Sequence, residues 1–194
     1  MLDSFVERTP CQFKQNWVCI DLASIINYTF CTKNISIQVF NSQTNFEDLK
    51  FLISEFQAFV RTLEPEISVS SIHQFDLRYY LQFFYGGNPR PKVIYLAFVN
   101  NEVAGYISNY CVTNNTIAVY RQHNYAILNE IFVLEKFRRI GVATQLIQSS
   151  IAWAKSQDCE DVQVGYAAHN DEAETLYNRR SGFKLSGKLS RFKL

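Results

Sequence analysis

Glycine and proline are scarce in this chain, seven and four among 194 residues. A Pro/Gly-rich linker or low-complexity segment is thereby excluded, and each breaker carries information about a turn. No apolar run reaches the roughly 18 residues that a membrane-spanning helix needs. The amino-terminal stretch MLDSFVERTPCQFKQNW has acidic residues early and no apolar core, so it does not read as a secretory signal. An excess of one charge is missing too. Nineteen basic and 18 acidic residues leave a formal +1, which offers no field for nucleic acid or an anionic membrane. Cysteine is sparse and odd in number. Cys11, Cys19, Cys31, Cys111 and Cys159 show neither CxxC nor zinc-finger spacing. That pattern predicts free thiols in a reducing cytoplasm and no metal site.

What is present is apolar and aromatic content, 47% and 15% of the chain, enough for one folded domain with a real core. Residues 1–33 have no clean period and read as an extension of unknown role ahead of a domain over 34–194. Ile35, Ile37 and Val39 alternate with polar residues, as in a strand. Leu49, Leu52, Ile53, Phe56, Phe59 and Val60 follow at helical spacing, ended by Pro65, and a second helix is expected from about Ile72 to Phe84. Lys92–Val99 and Val103–Val112 read as a hairpin turning at Asn100-Asn101. Thr116–Tyr120 begins a further strand. Tyr125–Leu134 is apolar except for Asn129 and Glu130, as in a central strand. A helix to about Gln157, a strand Val162–Tyr166, a helix Asp171–Arg180 and a terminal strand or hairpin from Phe183, turning at Gly187, complete the order. Hairpins followed by parallel crossovers imply an α/β (mixed α+β) fold, a mixed sheet with helices on both faces.

The most informative segment runs from Leu128 to Thr144. A buried strand ends, and a short charged link leads into a helix whose first turn contains Gly141, Val142, Ala143 and Thr144. Unpaired N–H groups there carry the positive end of the helix dipole and suit a pyrophosphate. Small residues at 141 and 143 let an anion approach, and Arg138 and Arg139 add charge at the mouth. The plain alternative is a helix start flanked by solvated arginines. Neither GxGxxG nor GxxxxGK[ST] is present.

Arg138-x-x-Gly141-x-Ala143, after the strand Leu128…Ile131-Phe132-Val133, resembles the [QR]-x-x-G-x-[GA] signature of the GNAT acyltransferase superfamily. Asn170-x-x-Ala173-x-x-Leu176-Tyr177 with Gly182-Phe183 resembles that family's second motif. The stretch is most similar to diamine and small-amine acetyltransferases, although Leu128-Asn129-Glu130 lacks one of their acidic side chains. One residue more than usual separates Tyr177 from Gly182-Phe183, which leaves the exit of the last helix open. The resemblance implies a sheet of about six or seven strands and acetyl-CoA as acyl donor, with no metal.

It further implies that the main chain of Ile131, Phe132 and Val133 holds the pantetheine arm as an added strand, which requires this strand to splay from Val162–Tyr166. An N–H near Val133 would stabilise the oxyanion, an interaction worth on the order of 3 kcal/mol. Asn170 and Ala173 would border the coenzyme, with helix capping as the alternative role of Asn170. Tyr177 would protonate the departing sulfur; otherwise it is a core residue. An alkylamine is only about one part in a thousand neutral at pH 7, so a base is expected. Glu130, a carboxylate in an apolar strand, is the first candidate, with His73 and His123 as alternatives. His169 is expected to shape a helix start.

The expected acceptor is a primary amine on a small molecule or peptide, in a pocket lined by Phe56, Phe59, Tyr79, Tyr80, Phe83, Phe84, Tyr106 and Tyr110. Few acids lie there, which disfavours a strongly polycationic acceptor. A homodimer is compatible with such a domain. Two other readings stand beside this one: a non-catalytic acyl-CoA-binding sensor or interaction module, and an unrelated nucleotide-binding α/β protein.

Overall fold

The computed structural model describes residues 34–63, 76–86, 90–114, 123–167 and 169–187. The order is β1 (Ile35–Val39), α1 (Phe46–Leu63), α2 (Leu77–Tyr85), β2 (Lys92–Val99), β3 (Glu102–Asn114), β4 (His123–Val133), a 3-10 turn at Glu135–Phe137, α3 (Val142–Ser156), β5 (Asp161–Val164) and α4 (Asp171–Glu174). A π-helical segment, Thr175–Arg180, continues α4 directly. The strands form one sheet in the order β1-β2-β3-β4-β5. All neighbours are antiparallel except β4 and β5, which run parallel.

Local chemistry accounts for the boundaries. Glu47 and Asp48 sit in the first turn of α1 and Arg61 in its last, matching the helix dipole. Asp76 caps α2 by accepting from the N–H of Arg78 at 2.8 Å. The β2–β3 hairpin turns on Asn100 and Asn101, whose φ values of 51° and 67° are those of a type I′ turn. Gly105 lets β3 approach β4: a Cβ there would lie 2.5 Å from the carbonyl oxygen of Phe132.

Helices cover both faces. Leu49, Leu52 and Ile53 of α1 and Leu77 of α2 pack with Ile94, Leu96, Tyr106 and Phe132 on one face. Val142, Leu146 and Ile147 of α3, with Tyr177, pack with Ala97, Ile107, Leu128 and Val133 on the other. Each such buried aliphatic side chain contributes about 1.5–3 kcal/mol.

Several expectations need correction. Five strands are found among the described residues rather than six or seven. The strand expected at 116–120 lies outside them, as do residues 1–33, Pro65, His73 and 188–194. Residues 182–187 have no regular structure, so the terminal strand is not found in its described part. Val39 is 60% exposed, whereas Ile35 and Ile37 are packed against the α3-side cluster. β5 stops at Val164, short of Tyr166. The described part of α2 begins at Leu77. Cys111 and Cys159 are free thiols with Sγ atoms 3.4 Å apart. Burial pushes the Cys111 thiol up to about 12.

Candidate functional site

The site begins with a surplus residue in β4. Ser108 pairs with Glu130 and Asn109 with Leu128, so Asn129 has no partner of its own on β3. This is a β-bulge, and it reverses the parity of the strand. Leu128 faces α3, whereas Phe132, an even number of positions on, faces α1 and α2. Without the bulge Glu130 would share the α3 face with Leu128. With it, Glu130 reaches the α1/α2 side, where Oε2 accepts from Tyr80 Oη at 2.7 Å and Tyr106 Oη at 3.2 Å. Burial raises the Glu130 carboxyl above its ordinary value, and hydrogen bonds from Tyr80, Tyr106 and Ser108 partly offset that rise.

Beyond the bulge β4 loses its neighbour on one side. The parallel pairing with β5 ends at Leu128 and Val164, leaving an open edge. Its polar groups can be assigned from two contacts. The Phe132 carbonyl faces Gly105 on β3, and the peptide bonds are trans, so the N–H of Val133 points the opposite way. Leu134 N–H donates to Ala104 O at 2.9 Å, so the carbonyl of Val133 also faces outward. That carbonyl accepts from Arg138 Nε at 3.1 Å. Val133 thus turns both main-chain groups to the gap, while the carbonyl of Phe132 is turned to the sheet.

The gap opens into a cleft of ≈ 540 Å³, of the size that holds small ligands. Glu130, Ile131, Val133, Gly141, Asn170 and Tyr177 are among its walls. At its mouth α3 starts from Gly141, whose φ of 98° favours glycine. Gln145 N–H makes the first helical bond, to Gly141 O at 3.0 Å. No side chain caps the helix, so the N–H groups of Val142, Ala143 and Thr144 lack helical partners. Arg139 itself has a left-handed φ of 64°. Its Nη2 lies 2.9 Å from Glu172 Oε1, and Arg138 Nη1 lies 3.8 Å from Oε2 of the same carboxylate. Arg138 also lies over Phe59, 5.0 Å from the ring centroid.

Tyr177 closes the α3 side. Its side chain is buried, stacked on Tyr166 at 5.6 Å and met edge-on by Phe183 at 5.7 Å. Burial raises its phenol above the ordinary value, so it stays protonated at neutral pH. Asn170 caps α4, accepting from Ala173 N–H at 3.0 Å. The extra residue before Gly182 is absorbed as the π-helical turn Thr175–Arg180, a winding that recurs at functional sites. Gly182, with φ 75°, then ends the helix.

The Acetyltransferase (GNAT) family model matches residues 56–183. The chain belongs to this family. Solved structures share the GNAT fold at low identity. A mutant of the BH1408 protein of Bacillus halodurans has a TM-score of 0.70 at 15% identity, over 82% of this chain and 99% of its own. The aminoglycoside acetyltransferase meta-AAC0020 from an uncultured soil metagenomic sample, solved with trehalose, scores 0.63 at 18% identity, over 82% and 95%. The acetyltransferase AAC(6')-Iy, in complex with the bisubstrate analog CoA-S-monomethyl-acetylneamine, scores 0.60 at 19% identity, over 83% and 98%. No curated protein sequence matches the chain.

Against this GNAT frame the other candidates separate. His123 stacks on Tyr125 and lies 3.7 Å from Asp161, at the opposite end of β4 from the cleft. The ring of His169 contacts the carbonyl of Leu63 through Nε2 at 2.8 Å, tying the segment before α4 to the end of α1. Of the expected aromatic lining, Phe56 and Phe59 face the cleft. Tyr80 and Tyr106 hold Glu130, Phe84 is buried in the core, and Tyr79 is 71% exposed. The side chain of Phe83 lies outside the described residues. Among the described residues no helix is long and apolar enough to cross a membrane, and no three His, Cys, Asp or Glu side chains could hold a metal ion.

Sequence reasoning missed the bulge, the two phenols on Glu130 and the Glu172 bridge. Unpaired polar residues inside an apolar strand, Asn129-Glu130, were the only local signal for the bulge.

Proposed function

We propose that the chain is an N-acetyltransferase that moves an acetyl group from acetyl-CoA to a primary amine by direct attack within a ternary complex. One observation carries this reading: the outward N–H and carbonyl of Val133 lie on the edge of a cleft that also contains Glu130 and the uncapped start of α3. The site fits the coenzyme because an open strand edge suits an amide-bearing arm and free helix N–H groups suit a pyrophosphate. Gly141, Val142, Ala143 and Thr144 would hold the pyrophosphate, with Arg138 and Arg139 beside it. The edges of Ile131 and Val133, with Asn170 and Ala173, would border the arm. The bound thioester supplies an activated acetyl carbon.

Glu130 takes one proton from the acceptor ammonium, and burial, by raising its pKa, makes it a stronger base than a solvated carboxylate. The neutral nitrogen forms a bond to the acetyl carbon as the carbon–sulfur bond breaks. Val133 N–H meets the charge that develops on the carbonyl oxygen. Tyr177, held protonated, gives a proton to the departing sulfur and regains one from the nitrogen. The balance is one acetamide, one free thiol and one proton released by way of Glu130.

The test is thiol release from acetyl-CoA by the purified full chain with a panel of primary amines. Amine-dependent release that falls with Glu130→Gln is expected. Tight coenzyme binding with no release for any amine, and no effect of Tyr177→Phe on any property, would instead mark a binding module.

A further inference from the structure

One wall of the cleft comes from a single stripe of α1. Phe56, Phe59, Val60 and Leu63 stand at i, i+3, i+4 and i+7, and all four line the cleft. Phe132 extends the wall from β4, its ring centroid 6.0 Å from those of both Phe56 and Phe59. Phe56 meets Tyr106 edge-on at 6.1 Å, and Tyr106 holds Glu130. The carboxylate therefore stands at the border of a continuous aromatic surface.

Charge on that wall is limited. Among the described residues the acids lining the cleft are Glu130, Asp171 and Glu172. Asp171 and Glu172 belong to the first turn of α4, and Glu172 is already engaged by Arg138 and Arg139. Among the described residues one carboxylate remains for an ammonium on the α1 side. A second ammonium further along the acceptor would meet Phe56, Phe59, Val60 or Leu63, or the guanidinium of Arg138 above Phe59. Burying an unpaired charge against rings and a like charge is costly, whereas a flat apolar body finds ring faces and edges to pack on.

We propose that the acceptor is a monoamine with a flat apolar body, chemically an aralkylamine, whose nitrogen is taken by Glu130 and whose ring packs on Phe56, Phe59 and Phe132. This rests on the acetyl-transfer reading of the cleft. The aminoglycoside enzymes that share the fold act on acceptors rich in positive charge, and the α1 wall of this chain selects against such compounds.

The experiment compares phenethylamine, n-propylamine, spermidine and neamine as acceptors with acetyl-CoA. Calorimetry measures phenethylamine binding to the full chain saturated with CoA. Phenethylamine is expected to have the highest kcat/KM, at least about tenfold above the polycations. Phe59→Leu, which keeps an apolar side chain but removes the ring face, should raise KM for phenethylamine by up to about tenfold, and by more than it raises KM for n-propylamine. Faster acetylation of spermidine or neamine, or equal rates for phenethylamine and n-propylamine, overturns the proposal while acetyl transfer stands. Phenethylamine binding beside CoA with no thiol release from any of the four amines upholds the pocket and overturns the transfer reading. No phenethylamine binding and no release with any of the four overturns both.

Discussion

Tyr80 Oη donates to Oε2 of Glu130 at 2.7 Å, joining residues 50 positions apart in the chain. Tyr106 donates to the same oxygen. Both bonds favour the charged carboxylate and so hold its pKa below where burial alone would take it. Removing one should therefore raise that pKa. Tyr80→Phe is expected to move the acid limb of the kcat/KM profile to higher pH by about one unit, the scale of one hydrogen bond to a charged group. A shift to lower pH would show that the phenol does not stabilise the charged form.

Glu130→Gln should lower kcat/KM by about 10²–10⁴-fold, the usual contribution of a positioned base. It should also change stability with a definite sign. A carboxyl whose folded pKa lies above its unfolded value binds more protons when folded, so stability falls as pH rises from the unfolded value, near 4.5, through the folded one. The variant should thus gain thermal stability relative to wild type at about pH 8 and lose that advantage near pH 4. Melting curves at the two pH values decide it; a gain confined to acid contradicts the assigned direction.

Glu172 occupies both cleft arginines, where a coenzyme phosphate is proposed to sit. Glu172→Gln is expected to tighten CoA binding by up to about fivefold at low salt, the scale of an exposed ion pair, and less at high salt. Reversing Arg138 and Arg139 to Glu should weaken binding by more than tenfold, as about 1.4 kcal/mol suffices for each factor of ten. Calorimetric titration at two salt concentrations measures both. Unchanged affinity in the double reversal would remove the pyrophosphate from this loop.

Two glycines should be intolerant for different reasons. Gly105→Ala places a Cβ 2.5 Å from the Phe132 carbonyl, so β3 and β4 must move apart and the outward set of Val133 is disturbed. Gly141→Ala meets nothing within 4 Å but must adopt a φ of 98°, at a cost of about 1–2 kcal/mol. Chemical denaturation should show a greater loss for Gly105→Ala, accompanied by reduced turnover. Equal and negligible losses would contradict both arguments.

Much of this was legible in the residues. The 3.6-residue period of Val142, Leu146, Ile147, Ile151 and Ala154 marks the inner face of α3, where all but the half-buried Ile151 are buried, while the buried Ser150 leaves no apolar mark. The Asn100-Asn101 hairpin follows from the left-handed tolerance of asparagine. The extra residue after Tyr177 was visible, but not that it would widen the helix into a π turn, because i→i+5 bonding leaves no periodic mark in six residues. The partners of Glu130 were hidden for a different reason. Tyr80 and Tyr106 sat in a general aromatic inventory, and only tertiary packing separates them from Tyr79, which is 71% exposed. Glu172 carries no sequence signal beyond being an acidic residue at a helix start, and Arg139, with which it pairs, lies 33 positions away.

The unmatched residue at Asn129 makes β4 two half-strands of opposite phase. Deleting it alone would leave the net charge untouched, yet everything from Glu130 to Val133 would turn over, sending a carboxylate beneath α3 and a phenylalanine ring away from its aromatic neighbours. Any graft or chimera that joins this strand to another must conserve residue count across the junction, even where the letters on either side look interchangeable.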